Sequence, residues 1–108
     1  MIVETVAFTR QMDRLDVSEV ERGAIYDSYA TDPDYGAVVR RTGGLRKGRI
    51  AKDGKGKSGG YRVFSFHAGD RHPVFLLWII DKSRDDTLTD AQEAAFKALT
   101  ATLKQECG

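Results

Sequence analysis

The chain of 108 residues contains a single cysteine, Cys107, so it can build neither an internal disulfide nor a thiol-rich metal site. Its longest apolar run, Val74 to Ile80, is far shorter than a bilayer span, and no transmembrane helix is expected. Met1 to Phe8 carries Glu4 where a signal peptide needs basic residues ahead of an apolar stretch. A cytoplasmic protein is therefore expected, with no membrane partner. Internal repeats are absent, and nothing marks a second domain. Hydrophobic residues at 41% and charged residues at 31% fit one globular domain over residues 1–108.

Acidic residues are also scarce in one place, and that scarcity is the most informative feature of the charge pattern. The net charge is only +1, but residues 40–62 hold nine basic side chains against Asp53 alone. Those nine are Arg40, Arg41, Arg46, Lys47, Arg49, Lys52, Lys55, Lys57 and Arg62. Surfaces usually mix signs, so an unmixed cationic stretch points to a polyanion such as a phosphate backbone rather than to a merely solvated loop.

Local signals predict the order βααβββα. Ile2 to Ala7 is a short β-prone run, followed by Phe8, Met12 and Leu15 at helical spacing. Ser18 and Glu21 stand in the capping-box relation, and Asp32-Pro33 stops a helix over residues 19–31. Asp34 to Gly44 reads as a connection and Leu45 to Ala51 as a strand. After the loop from Lys52 to Gly60, Tyr61 to Ala68 alternates as a strand, with Arg62, Phe64 and Phe66 on one face. Val74 to Ile80 is apolar without alternation, as a strand covered on both faces should be. Thr89 and Gln92 cap a last helix whose stripe is Ala95, Phe96, Leu99 and Leu103. The expected class is α+β, a mostly antiparallel sheet packed against helices.

Several chemistries are weighed and set aside. Gly56-Lys57-Ser58 looks like the end of a phosphate-binding P-loop, but residue 51, where the first glycine belongs, is alanine, and a strand rather than a helix follows. His67 and His72 flank a tight turn and form a possible acid–base pair for RNA cleavage, although histidines at hairpin ends are more often surface residues. Asp85-Asp86 is explained by a loop entering a helix, so no metal and no cofactor are expected. Trp78 lies in the most apolar segment and is assigned to the core rather than to base stacking.

Gly43-Gly44-Leu45-Arg46-Lys47-Gly48-Arg49, followed by Gly54-Lys55-Gly56-Lys57-Ser58-Gly59-Gly60-Tyr61-Arg62-Val63, resembles the HigB-like branch of the RelE/HigB type II toxins. Phe8-Thr9 leading into a helix, Asp32-Pro33 with Gly36, Lys82 after the apolar strand, and Asp86 to Thr89 entering the last helix extend the resemblance over nearly the whole chain. It implies a RelE/ParE-like domain that cleaves messenger RNA in the A site of the 70S ribosome and is neutralised by a helix-turn-helix, HigA-like antitoxin. It further implies Lys55, Lys57, Arg62 and Lys82 as the catalytic set, with a lysine as general base and Arg62 as phosphate clamp. Arg46, Lys47, Arg49, Lys52 and Arg84 are expected to hold RNA. Some relatives carry a functional tyrosine near the C-terminus, whereas Tyr26, Tyr29, Tyr35 and Tyr61 here all lie upstream. ParE-type relatives share the fold but act on DNA gyrase, which is the alternative function.

Overall fold

Thr5 ends the first strand and starts the first helix: its backbone N–H and its hydroxyl both donate to the Leu76 carbonyl, while its Oγ1 accepts from the Phe8 N–H. The computed structural model describes residues 1–52, 59–85 and 87–107, and within these the chain runs β1 (Ile2–Glu4), α1 (Val6–Arg14), α2 (Glu19–Thr31), β2 (Ala37–Val38), β3 (Arg46–Ile50), β4 (Tyr61–His67), β5 (Val74–Asp81) and α3 (Asp90–Cys107). Because Thr5 caps, α1 begins two residues before the expected Phe8. The Ser18–Glu21 capping box is fully formed, with both reciprocal hydrogen bonds present. The equivalent Thr89–Gln92 pair closes at the start of α3.

The five strands lie in the order β1-β5-β4-β3-β2. β1 is parallel to β5, and every other pairing is antiparallel. The α+β class and the helix-covered sheet are as expected. One element is additional: β2 forms inside the segment read as a connection, its two exposed residues pairing with Lys47 and Arg46.

Alternation along the strands sorts the apolar side chains into two layers. Phe8, Met12 and Val17 from the α1 region, Ile25 and Tyr29 from α2, and Ile50, Tyr61, Val63, Val74, Leu76 and Ile79 from the sheet form one cluster. Leu45, Phe64, Phe66, Leu77 and Ile80 form the other, beneath Phe96, Leu99 and Leu103 of α3. A register shift where Phe64 pairs with Trp78 and Ser65 with Leu76 lets Leu77 and Trp78 both lean toward the α3 side. β5 is thus covered on both faces, which is why it has no polar alternation. Trp78 is half-buried and packs on the Phe96 ring at 5.7 Å between centroids.

A candidate nucleic-acid interface

The β3–β4 register determines which cations meet. Gly48 and Ile50 face the α1–α2 layer, since a Cβ on Gly48 would lie 2.7 Å from the Tyr35 ring and Ile50 belongs to the first core cluster. Lys47 and Arg49 therefore project from the opposite face, the α3 side. Arg49 lies directly across from Arg62, and Lys47 across from Phe64. Lys47 and Arg49 are exposed; Arg62 is half-buried. Like charges directly opposite each other on paired strands are mildly destabilising.

Lys82 joins this group through the backbone. Its N–H donates to the Gly60 carbonyl at 2.9 Å, and two residues before it Ile80 pairs with Arg62. Arg62 from β4, Arg49 from β3 and Lys82 from the turn after β5 thus lie at one end of the sheet, with Lys47 one step further along β3.

Two of the predicted RNA ligands are engaged with the protein itself. Arg46 donates through Nη1 to the Gly36 carbonyl at 3.0 Å and lies 4.0 Å from Asp34. It has the parity of Gly48, not of Arg49, and pins the loop between α2 and β2. Lys52 donates to Asp81 Oδ2 at 2.7 Å and sits over the Tyr61 ring, 5.4 Å from its centroid. Arg84 remains largely exposed, 3.9 Å from the same carboxylate. Lys55 and Lys57 lie outside the described residues.

Asp81 was not singled out from the sequence, yet it organises this end of the sheet. It is 4% exposed and accepts from Lys52 Nζ, from the Ser83 N–H at 3.0 Å and from the Ser83 hydroxyl at 2.7 Å. Burial alone raises the carboxyl pKa, but these hydrogen bonds to its charged form, with the Lys52 charge, hold it below the ordinary value. Asp81 thereby ties the turn bearing Lys82 and Arg84 to the end of β3. A lone acid closing an apolar strand was the available signal.

The tyrosines and histidines have structural duties. Tyr61 donates to Glu21 Oε1 at 3.2 Å, and burial together with the Glu21 carboxylate pushes its pKa up to about 12. Burial does the same for Tyr29, and Tyr35 donates to the Arg49 carbonyl at 2.7 Å beneath the cationic strand. His67 is 3% exposed at its side chain, with Nδ1 2.9 Å from Asp34 and Nε2 3.1 Å from the His72 carbonyl. Both ring nitrogens face oxygen acceptors, so the ring bridges two loops. With Tyr26, Tyr29 and His72 it lines a cavity of about 500 Å³ that opens on the α2 side, away from Arg49 and Lys47.

Nothing among the described helices is long and apolar enough to cross a membrane. A family model described as the RelE toxin of the RelE/RelB toxin-antitoxin system matches residues 16–107.

Proposed function

Because the chain belongs to the RelE toxin family, as a toxin of a toxin–antitoxin system, we propose that it is a ribosome-dependent endoribonuclease of the HigB-like branch, acting on messenger RNA in the cytoplasm and restrained by a helix-turn-helix antitoxin. The observation that supports this best is the placement of Arg49 directly opposite Arg62 on the open part of the α3 face, with Lys82 tethered alongside. That arrangement suits a phosphodiester held by two planar guanidinium groups rather than a base edge or a small apolar ligand.

In the proposed reaction the ribose 2′-oxygen loses its proton to a lysine and attacks the adjacent phosphorus. The phosphorus–O5′ bond breaks, and the departing oxygen takes a proton from a second cationic group. The products are a 2′,3′-cyclic phosphate and a 5′-hydroxyl. Lys55 or Lys57 is the proposed base, Arg62 and Arg49 stabilise charge on the non-bridging oxygens, and Lys82 serves as acid or charge stabiliser. His67 takes no part, since its ring is closed into its bridge. Tyr29 and Tyr61 take no part as bases, since burial raises both phenols to about 12.

Substitution at the described part of the site tests the proposal. Arg49→Glu is expected to abolish growth arrest on induced expression while leaving the unfolding transition intact, and Arg62→Glu to abolish it in protein that still folds. If folded Arg62→Glu protein still cuts messenger RNA at the wild-type rate, the proposed site is wrong. Inhibition of DNA supercoiling by gyrase, with messenger RNA left whole in a translating extract, would instead establish the ParE-like reading.

A further inference from the structure

Arg40 and Arg41 belong to the cationic stretch but to neither set of residues assigned above. Both are exposed, and among the described residues neither lies within 4.0 Å of a carboxylate. They are carried on a turn whose shape is set from within. The Thr42 hydroxyl, 2% exposed as a residue, donates to the Val39 carbonyl at 2.6 Å, and Thr42 Oγ1 accepts from the Leu45 N–H at 3.2 Å. The Val39 N–H closes the turn on the Leu45 carbonyl at 2.7 Å. Within it Arg41 adopts φ +63°, a left-handed conformation that an L side chain normally leaves to glycine or asparagine.

An exposed arginine at such a position, in a turn held by the Thr42 hydroxyl and the Val39–Leu45 backbone bond, is displayed rather than packed. The turn also lies on the relevant face. Val39 and Leu45 at its two ends belong to the core layer under α3, the side from which Lys47, Arg49 and Arg62 project. Arg40 and Arg41 line a groove of about 410 Å³ against α3, joined by Lys97 and faced by Asp90 and Glu93. Those two carboxylates disfavour a small free anion inside the groove. An extended chain of phosphates crossing its arginine rim avoids them.

We infer that the Arg40–Arg41 turn is a second phosphate-backbone contact that anchors RNA on the same side of the sheet as the Arg49–Arg62 pair but at the other end of β3, without reading bases. The inference rests on the nucleic-acid reading above and adds to it a separate anchoring point, which acts on binding rather than on the bond-breaking step. Two guanidinium groups on a turn closed by its own hydrogen bonds release counterions on meeting phosphate.

The test is binding of the whole protein to purified 70S ribosomes across a salt series, for wild type, Arg40→Ala/Arg41→Ala and Arg40→Lys/Arg41→Lys. For the alanine pair we expect affinity to fall by about tenfold at moderate salt and the slope of log affinity against log salt to flatten by about 1.5. The lysine pair should keep most of that slope, which a purely structural role for the arginines does not predict. If wild type binds with a steep slope and the alanine pair matches it, the inference is overturned while the nucleic-acid reading stands. A lowered unfolding midpoint with unchanged slope, reproduced by Asp90→Ala/Glu93→Ala, would likewise overturn it, because the arginines would then serve to hold α3. Wild type that shows no salt-dependent binding removes both.

Discussion

At the scale of single residues, the most consequential group is a carboxylate rather than a cation. Asp81 is buried, accepts three hydrogen bonds and neutralises Lys52. Removing one partner of such a pair leaves the other uncompensated, so Asp81→Ala should lower unfolding free energy in urea by about 3 kcal/mol. The same group sets a pH dependence with a definite sign. Its folded-state pKa lies below the ordinary 3.8, so its stabilisation is present above that value and is lost as pH falls through the lower folded value. The stability gap between wild type and Asp81→Asn should accordingly be constant near neutrality and shrink below pH 3.8. A gap that persisted undiminished in acid would show that the carboxylate charge is not what stabilises this end of the sheet. Arg62→Lys poses a different question, since it keeps the charge and removes the planar fork. About a tenfold loss of cleavage rate is expected from single-turnover measurements if two-pronged phosphate contact matters.

At the scale of elements, β3 is the strand that builds the site, and Gly48 is its pivot. A methyl group there would press on the Tyr35 ring at 2.7 Å and on the Tyr29 hydroxyl at 3.0 Å. Gly48→Ala should cost about 1–3 kcal/mol, seen as a fall in thermal midpoint, and should displace Arg49 from its place opposite Arg62. Elements whose signals are local were legible without coordinates. Ser18 and Glu21 announced α2, Asp32-Pro33 ended it, and the unbroken apolar run of Val74 to Ile80 announced a doubly covered strand. β2 was not legible, because two exposed residues carry no periodicity and exist as a strand only through Arg46 and Lys47 across from them. The start of α1 was misplaced for a related reason. Thr5 is both the end of a strand and an N-cap, and only its contacts with Leu76, 71 residues away, show which role begins where.

At the scale of the whole molecule, a net charge of +1 conceals a basic stretch that the fold distributes unevenly. The cationic character of the site was plain from composition, but the sorting of cations was not. Arg46 and Arg49 stand in one run, yet strand alternation sends Arg46 to Asp34 and Gly36 and leaves Arg49 on the open face. Lys52 finds its partner 29 residues away and His67 finds Asp34 at a separation of 33, so sequence spacing could not assign either. Arg40 and Arg41, by contrast, kept no acidic partner within the described residues. The resulting face combines a proposed cleavage group at one end of the sheet with exposed arginines along α3, and its affinity for ribosomes should depend steeply on salt.

We propose that this face cuts messenger RNA on the ribosome. Primer extension on a reporter message in a translating extract, with and without ribosomes, comparing wild type with Lys57→Ala/Arg62→Ala, tests it most directly. Discrete cuts that require ribosomes and vanish in the folded double variant are expected. Absence of cuts from well-folded wild type, or cuts that survive the double substitution, would contradict it.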